Sequence, residues 1–535
     1  MKENNRKLFP GQTEKEISFM YIWCKDSACR VYRHTRPEEG DASSLVLHTG
    51  RNMTVSGQLL LRDDSTVPFT VNSVTFSALP AGMKAEAYIQ GYEIFNDGLP
   101  YPDLLLPVTP TEVKINATQG IWMVFRTDET AEPGTYDVLC TVSTSKADLT
   151  AHIVLNVHRA MIPAPKDSAF AHEYFFDPFP DGYACRPFDD EWFALMRRFA
   201  EEMKRLRVNS LYVPVVAFLE SGASRRTGAD TWELDFSKFD AVVECFLANG
   251  SFRYLTMTAP VRSVTGRTIS ALDENGKSFA MPIFEENTDT PTAEACAWAK
   301  ALFGGIYAHC REKGWGAMLQ MHLQDEPHTP ESWLWAREMC EQFMPGIPCG
   351  EPIDSYGIGR ALSGKCNFFV PRLEVYDNEA AFYRDRQAAG DTVWCYSCCY
   401  PEEPWWLNKF LDLPHNYSRL IHWACFSQKI TGFLHWGFDF FSSKTLYGRA
   451  PGTRFKGDGY IVYPDPEHNG ILSSVRGLMT TEGIEEWELL SLLSQKNRAL
   501  ADALAKNTAR TFRDFSKDPR SVEDARAACL CALDA

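Results

Sequence analysis

The sequence predicts an α/β protein in which a (β/α)8 TIM-like barrel is preceded by an all-β sandwich domain. Two observations support this prediction. Short β-branched runs separated by turn residues fill the first part of the chain, and apolar strand patterns alternate with amphipathic helix patterns in the rest. The proline-rich stretch at residues 161–166 marks the boundary. We therefore expect a sandwich domain over residues 1–160 and a barrel domain over residues 161–535, including the C-terminal helices.

In the first domain, the β-rich runs have the length and spacing of strands in a sandwich. They cover residues 53–61, 67–76, 83–89 and 121–126, and turn residues separate them at 80–82, 96–98 and 132–134. A closing hairpin is expected from residues 133–140 and 148–158. Because the region has no clustered carboxylates or histidines, we expect it to be structural and to shape one wall of a cleft.

Eight strand patterns in the second domain favour the barrel architecture. They lie at residues 170–176, 209–215, 252–259, 317–323, 347–351, 367–371, 392–396 and 431–436. Amphipathic helix patterns occur between them at residues 189–207, 236–248, 292–313, 330–343, 378–389 and 414–428, and residues 481–493 open the closing helices.

Composition restricts the possible partners. The formal net charge of −16 argues against nucleic acid and anionic membrane surfaces, which require basic patches. No apolar run approaches the roughly 20 residues of a membrane-spanning helix. The polar residues 1–7 lack the apolar core of a signal peptide, and the 16 cysteines are scattered as reduced thiols would be. These features predict a cytoplasmic protein, or a secreted one if a targeting segment has been removed. They predict no oligomeric state.

The cysteines at 395 and 398 have the CxxC spacing of metal and redox sites. A second CxxC pair or a nearby pair of histidines would be needed for a zinc site of the usual kind, and the sequence has neither. We therefore expect no metal site.

The strand pattern that ends in two acids is the strongest functional signal. Apolar residues from 318 onward lead directly to Asp325 and Glu326, which are followed by Pro327. Barrel enzymes present catalytic groups at the C-terminal ends of their strands. The proline predicts an extended Glu326, and neighbouring strand residues can share one site only if the backbone turns there. Alternatively, Glu326 supplies the N-terminal charge of the next helix, with residues 329–331 as its cap.

The ends of other predicted strands supply further polar and aromatic candidates. They are His172, Glu173, Arg372, Glu374, Tyr396, His435, Trp436 and Asp439, with Trp405 and Trp406 in the loop after the seventh strand. Arg372 and Glu374 could simply pair with each other, and Trp436 could simply pack. Acids, aromatics and amides without a basic cluster for phosphate indicate a neutral polyhydroxylated ligand. The aromatic content of 13% also suits a protein that stacks on sugars. A sugar is the leading candidate.

Several motifs resemble glycoside hydrolase family 123, whose known members are β-N-acetylgalactosaminidases. They are Gln-Asp-Glu-Pro at 324–327, Gly-Asp-Gly-Tyr-Ile-Val-Tyr-Pro at 457–464, Ser-Ser-Val-Arg at 473–476 and Glu-Gly-Ile-Glu-Glu-Trp at 482–487, with sandwich-like segments at 99–107, 121–122 and 133–136. Two departures stand out. Thr481 begins a Thr-Glu-Gly run where the family has Arg-Asp-Gly, and Trp487 replaces a tyrosine. Both lie in a predicted helix and concern packing more than chemistry.

The resemblance implies substrate-assisted hydrolysis of a terminal β-linked N-acetylhexosamine, with N-acetylgalactosamine favoured. The substrate's own acetamido oxygen would attack the anomeric carbon. Glu326 would act as general acid and then general base, and Asp325 would orient the acetamido N–H. Tyr396 would bond the acetamido carbonyl, and Trp436 would support the apolar face of the sugar. The resemblance implies a glycan or glycoconjugate substrate and no metal or organic cofactor.

Two other functions remain possible from the sequence. An ordinary retaining glycosidase would use Glu326 as acid/base and a carboxylate nucleophile about 5–5.5 Å away. The seventh strand ends in Tyr396, so Glu374 or Asp439 would have to be that nucleophile. The third possibility is a non-catalytic sugar-binding barrel, against which the intact pair of adjacent acids counts.

Overall fold

The computed structural model describes residues 20–94, 98–258, 260–262, 266–440 and 456–535. The polar N-terminus at residues 1–7 lies outside the described residues. The predicted turn at 96–98 and the predicted third barrel strand at 252–259 lie partly outside them.

Two five-stranded sheets form the N-terminal part of the chain. Their strands follow the order β1-β3-β8-β5-β6 in one sheet and β2-β10-β9-β4-β7 in the other. All pairings are antiparallel except the parallel pair of β2 and β10. The strands are β1 (Met20–Asp26), β2 (Ser44–Arg51), β3 (Thr54–Asp63), β4 (Phe69–Phe76), β5 (Met83–Ile94), β6 (Pro100–Pro107), β7 (Thr111–Val113), β8 (Thr118–Thr127), β9 (Gly134–Thr144) and β10 (Asp148–Met161).

The predicted N-terminal strands are confirmed. The expected closing hairpin is present as β9 and β10, which pair from Asp148 opposite Ser143 to Val157 opposite Gly134. Buried apolar side chains from both sheets meet in one core, for example Leu59 and Ile121 from one sheet with Val142 from the other. Alternation of buried and exposed positions along β10 produces this arrangement, because successive strand residues point to opposite faces.

Strands and helices alternate from residue 171 onward. The elements up to the fourth large helix are β11 (Ala171–Tyr174), α1 (Asp190–Arg205), β12 (Ser210–Val213), α2 (Val215–Ser221), β13 (Arg225–Gly228), β14 (Thr231–Glu233), α3 (Ser237–Leu247), β15 (Tyr254–Met257), β16 (Val261–Arg262), β17 (Thr268–Leu272), β18 (Ser278–Pro282) and α4 (Ala293–Glu312).

The remaining elements continue this alternation and end in helices. They are β19 (Leu319–Met321), α5 (Glu331–Phe343), β20 (Gly350–Ile353), α6 (Ile358–Leu362), β21 (Phe368–Pro371), α7 (Leu373–Asn378), α8 (Ala380–Ala388), β22 (Thr392–Val393), β23 (Cys395–Ser397), α9 (Asn416–Ser427), β24 (Gly432–His435), β25 (Tyr463–Asp465), β26 (Gly470–Leu472), α10 (Val475–Lys496), α11 (Arg498–Thr508) and α12 (Ser521–Asp534).

Each predicted strand of the second half is present, with the seventh divided into β22 and β23. The strands form a six-stranded parallel sheet, β19-β15-β12-β11-β24-β23, and a three-stranded parallel sheet, β20-β21-β22. Single parallel bridges, Met321 with Cys349 and Arg372 with Tyr396, connect the two sheets. Continuous pairing is therefore interrupted twice, and a complete eight-stranded barrel stays a prediction.

Helix α1 shows how the sequence pattern produces an amphipathic element. Asp189 caps its N-terminus by accepting a hydrogen bond from the amide of Trp192. The buried face carries Leu195, Phe199 and Met203, which recur at helical spacing and pack into the main core. In the described part of the chain, no helix combines the length and apolarity that a bilayer crossing requires.

Several elements were not predicted. Between β12 and α4 the chain adds the short helix α2, the hairpin β13–β14 and the three-stranded antiparallel sheet β16–β18. This last sheet reaches the end of β19 through a parallel bridge between Val261 and Gln324. It therefore lies beside the segment that carries the two acids.

The first N-terminal sheet packs directly on helix α10. Leu105 and Trp122 from the first sheet share a buried cluster with Val475 and Leu478 from the helix. The predicted division of the chain at residue 160 stays a prediction.

Candidate active site

The two adjacent acids lie on a sharp turn of the backbone just beyond β19. The chain bends at Asp325 and Glu326, and Glu326 has a φ of +46°. The predicted turn is confirmed, but the predicted extended conformation of Glu326 is wrong. A left-handed backbone at a residue other than glycine costs about 1–3 kcal/mol and persists only where surrounding contacts impose it. The structure therefore holds this residue in place by contacts outside the strand.

Glu326 is not the capping charge of the next helix. Helix α5 begins at Glu331, and Pro330 occupies its N-cap position without a side-chain capping bond. Glu326 accepts a hydrogen bond from the hydroxyl of Tyr396 through Oε1. The cap expected from residues 329–331 is absent because the N-cap position is held by a proline, which makes no side-chain capping bond.

The surroundings of Glu326 raise the pKa of its carboxyl group. Burial is the largest cause, and the negative charges of Asp325 and Asp354 add to it. The hydrogen bond from Tyr396 and the positive charge of Arg372 act in the opposite direction. A carboxyl group with a raised pKa keeps its proton closer to neutral pH, as a general acid must.

Asp325 reaches solvent, although protein atoms surround its carboxylate closely. This partial removal from water is the largest cause of its raised pKa, which Asp354 raises further and His322 lowers. The charge of Asp325 also raises the pKa of Tyr212, after burial as the main cause. The ring of Tyr212 stacks on that of Phe175, with centroids 4.2 Å apart. The acid therefore stands beside an aromatic wall.

Asp354 is a third carboxylate near the pair. It follows β20, accepts a hydrogen bond from Ser355 Oγ at 2.7 Å, and lies 3.3 Å from Nε2 of His328. Its charge raises the pKa of both Asp325 and Glu326.

Arg372 and Glu374 pair with each other, which is the structural alternative that the sequence left open for them. Nε of Arg372 donates to Oε1 of Glu374, and Nη2 donates to the backbone oxygen of Asp354 at 3.3 Å. The guanidinium also lies over the ring of Tyr400, 5.2 Å from its centroid. Since Arg372 is bridged to Tyr396 and lowers the pKa of Glu326, the pair belongs to the surroundings of the acids.

Trp436 is half-buried at the end of β24. Its Nε1 donates to Oδ2 of Asp458 at 2.5 Å, and its ring lies 5.4 Å from that of Phe440 at a tilt of 32°. Asp458 is fully buried, and burial raises its pKa to about 8. The indole is thus fixed at its polar edge by a buried carboxyl group. Of the two tryptophans expected in the loop after the seventh strand, Trp405 is exposed and Trp406 is buried.

The side chains of His435 and Asp439 are buried and form hydrogen bonds with backbone groups. The ring nitrogens of His435 face the backbone oxygens of Ser397 at 2.8 Å and Asp458 at 2.9 Å, and burial lowers its pKa to about 3. Oδ1 of Asp439 accepts from the amide of Asp177 at 2.8 Å. Both were expected to contact a ligand. The structure instead buries both side chains against backbone groups, because buried amides and carbonyls need partners.

His172 and Glu173 point to opposite sides of β11, as neighbours on a strand must. The His172 ring is fully buried against Tyr174 and the backbone oxygen of Leu206, away from the acids, so the expectation that it contacts a ligand is corrected. Glu173 is also fully buried, and its Oε1 lies 3.0 Å from Nε2 of His322. Its side chain is therefore enclosed by protein groups and has no exposed surface.

Among the described residues, no group of three or more His, Cys, Asp or Glu side chains is arranged to hold a metal ion. All 16 cysteines lie in the described residues and none of them forms a disulfide; Cys395 is buried and Cys398 is half-buried.

The model of the glycoside hydrolase 123 catalytic domain matches residues 179–493, which is more than half of the chain. The chain belongs to glycoside hydrolase family 123. Membership makes it a glycosidase that acts on a carbohydrate substrate. No curated protein is similar enough in sequence to count as a match.

Solved structures include a family 123 glycoside hydrolase from Clostridium perfringens that is similar to this one, with a TM-score of 0.75 and 16% identity over 96% of this chain and 97% of that chain. This similarity shows a shared fold. Weaker matches include a GH10 xylanase from termite gut, with a TM-score of 0.36 and 10% identity over 69% of this chain and 90% of that chain.

Sequence reasoning missed several groups that surround the acids of this family 123 enzyme. They are Phe175, Tyr212, His322, Glu351 and Asp354, and Asp458 was missed as the partner of Trp436. The sequence could have indicated Asp354 as a site residue, since it lies just beyond the end of a strand as Asp325 does. The fifth strand was predicted to end at residue 351 but extends to Ile353, so Asp354 lay outside the expected strand end.

Proposed function

We propose that this family 123 enzyme removes a terminal β-linked N-acetylhexosamine, with N-acetylgalactosamine favoured, by a substrate-assisted mechanism that retains the anomeric configuration. The proposal places the reaction at one mouth of a complete eight-stranded barrel, with residues 161–535 as the catalytic domain and residues 1–160 as the sandwich domain. The observation that carries it is the turn at Asp325 and Glu326, which places two adjacent carboxylates with raised pKa values beside the hydroxyl of Tyr396.

In the first step, the acetamido oxygen of the substrate attacks C1 and the bond from C1 to the leaving oxygen breaks. Glu326 transfers its proton to that oxygen, and an oxazolinium ion remains. Asp325, as the carboxylate, accepts a hydrogen bond from the acetamido N–H and offsets the positive charge. In the second step, water attacks C1 and gives its proton to Glu326, and the bond between C1 and the acetamido oxygen breaks.

Two aromatic residues have proposed roles in holding the sugar. The Tyr396 hydroxyl would donate its hydrogen bond to the acetamido carbonyl of the substrate, and its present bond to Glu326 supports a position close to the acids. Trp436 would support the apolar face of the ring, because Asp458 and Phe440 fix its orientation.

The two-carboxylate alternative depends on finding a nucleophile. Glu374 is paired with Arg372, and Asp439 is buried with its oxygen on the amide of Asp177, so neither suits an attack on C1. Asp354 is the carboxylate that favours this alternative, since it is only half-buried and acts electrostatically on both Asp325 and Glu326. A non-catalytic sugar-binding protein would have no use for the raised pKa of Glu326.

The substrate class is a glycan or glycoconjugate. The Clostridium perfringens enzyme is described in terms of glycolipid glycan hydrolysis. We extend that description to this chain as a proposal, and the shared fold supports it.

The test is hydrolysis of nitrophenyl β-N-acetylgalactosaminide and of the plain galactoside by the unmodified enzyme, Asp325→Asn and Glu326→Gln. Turnover of the acetamido sugar alone, with kcat reduced about 10²–10⁴-fold in both variants, would support the proposal. Turnover of the plain galactoside with Asp325→Asn nearly unaffected would favour the two-carboxylate mechanism. Binding without any turnover would favour the sugar-binding function.

A further inference from the structure

The segment that leads into the two acids is held by a buried carboxylate on the neighbouring strand. Oε1 of Glu351 accepts from the amide of Leu323 at 2.6 Å, and Oε2 accepts from the amide of Gln324 at 3.2 Å. Glu351 lies on β20 and is fully buried. Regular strand pairing between β19 and β20 is reduced to the single bridge at Met321, so these two amides find their acceptors in a side chain.

The residue before this segment is held separately. Nε2 of His322 lies 3.0 Å from Oε1 of Glu173, and Nδ1 contacts the backbone oxygen of Gly350. Both neighbours of the ring are hydrogen-bond acceptors, which favours the doubly protonated imidazolium. The opposite oxygen of Glu173 accepts from the hydroxyls of Ser210, at 2.5 Å, and Thr256.

These contacts fix three consecutive residues immediately before the turn. The side chain of His322 and the amides of Leu323 and Gln324 are all bound to buried partners. Asp325 and Glu326 follow directly, and Glu326 has the left-handed backbone that a free segment would avoid. The contacts made by Glu351 hold the backbone two and three residues before Glu326, while the hydrogen bond from Tyr396 holds the Glu326 side chain itself.

We propose that Glu351 is a positioning residue for the reaction. It orients Asp325 and Glu326 by accepting hydrogen bonds from the two backbone amides that precede them. This inference rests on the proposed function for its kinetic test. Glu351 is fully buried, and it acts through the backbone.

Glu488 provides a matched control, because it lies at the N-terminal end of strand β11. It lies on α10 and is buried, and its Oε1 accepts from the amides of Ala169 at 3.0 Å and Phe170 at 3.3 Å, just before β11 begins. Like Glu351, it is therefore a buried carboxylate that accepts hydrogen bonds from two successive backbone amides next to a parallel strand. Unlike Glu351, it lies before the start of that strand, whereas the two acids follow the end of theirs.

The experiment compares Glu351→Ala with Glu488→Ala on whichever chromogenic β-glycoside the unmodified enzyme hydrolyses. A misplacement of about 1 Å at a reacting group lowers rates by about 100-fold. We therefore expect Glu351→Ala to lose about 100-fold in kcat with KM changed less than about threefold. We expect Glu488→Ala to lower the melting temperature comparably while kcat stays within about threefold of the unmodified enzyme. Equal kcat in all three proteins, or equal losses in both variants, would overturn the proposal.

If Glu351→Ala does not fold, Glu351→Gln replaces it. Glutamine keeps one acceptor oxygen but turns an NH2 group toward one backbone amide, so the expected loss in kcat is about tenfold. Unchanged kcat in this variant would count against the proposal.

A crystal structure of either Glu351 variant tests the inference without turnover. We expect Glu326 to leave its positive φ and lose the hydrogen bond from Tyr396. Unchanged geometry would overturn the inference. If the unmodified enzyme hydrolyses no glycoside, the proposed function fails, while the crystal structure still decides the role of Glu351.

Discussion

The hydroxyl of Tyr396 donates a hydrogen bond to the carboxylate of Glu326, joining the end of β23 to the turn beyond β19. The tyrosine is buried, and burial raises its pKa well above the ordinary value, so it stays a donor throughout the range in which a carboxylate titrates. A donor of this kind stabilises the charged form of Glu326 and lowers its pKa.

Replacing Tyr396 with phenylalanine should raise the pKa of Glu326, because the charged form loses its hydrogen bond. The general acid then keeps its proton to higher pH, so the alkaline limb of the kcat/KM profile should move to higher pH. The measurement is kcat/KM against pH for both proteins. Tyr400→Phe serves as the control, since Tyr400 is exposed and contacts Arg372 only through its ring face. A shift of the limb to lower pH would contradict the assignment of Glu326 as the acid.

Replacing Asp325 with asparagine should have the opposite effect on the same limb. The charge of Asp325 raises the pKa of Glu326, so its removal lowers that pKa and moves the alkaline limb to lower pH. We also expect kcat to fall about 10²–10³-fold, as when one electrostatic stabiliser is lost. Asp354→Asn removes the other charge that raises the pKa of Glu326, and should move the limb in the same direction with a smaller loss of rate. A larger loss in Asp354→Asn than in Asp325→Asn would identify Asp354 as a nucleophile.

The buried pair of His322 and Glu173 should make the free energy of unfolding depend on pH. The hydrogen bond and charge of Glu173 outweigh burial and raise the pKa of His322 from 6.5 to about 9. Because the folded value lies above the unfolded one, the stabilisation is fully present below pH 6.5 and is lost as pH rises through about 9. It amounts to about 3 kcal/mol at most.

The check is denaturant unfolding of the unmodified protein and His322→Gln on both sides of that window. Other buried groups also titrate there, notably Glu351 and Lys409, so the quantity to compare is the difference between the two proteins. This difference should shrink as pH rises. A constant difference would show that His322 is uncharged in the folded state.

Arg419 should be far more costly to replace than a surface arginine. It is fully buried, and its Nε donates to both carboxylate oxygens of Glu486 at 2.7 and 2.9 Å. Replacement by methionine leaves Glu486 and Glu482 without their main cation, which should cost about 3–5 kcal/mol of unfolding free energy. The matched control is Arg498→Met, which loses an exposed pair with Asp502 and should change stability by less than about 1 kcal/mol. Similar losses in the two variants would show that the buried network contributes little.

The sequence predicted the regular elements well because their patterns are local. The apolar periodicity of α1 and the alternation along β10 can be read from adjacent residues. The sheet β16–β18 was missed because its strands lie in what reads as a long loop, with no repeated strand-and-helix rhythm.

The candidate site was predicted only in part, and the errors have physical causes. The adjacency of Asp325 and Glu326 is visible in the sequence, but the φ of Glu326 depends on contacts made by distant residues. Tyr396, which bonds it, is 70 positions away. Period-two alternation meant that His172 and Glu173 could not both face the same side of the sheet. Which of them faced inward was decided by partners such as His322, which no local pattern indicates.

Asp103, on β6 of the N-terminal region, is bonded to the backbone amide and the guanidinium of Arg476, each at 3.0 Å. The same guanidinium donates to the backbone oxygens of Gly457 and Tyr460, on either side of the aspartate that fixes Trp436. The family model starts at residue 179 and so leaves Asp103 out. Anyone who trims this enzyme to its matched region, or grafts that region into a chimera, would also remove the support for the backbone on either side of Asp458.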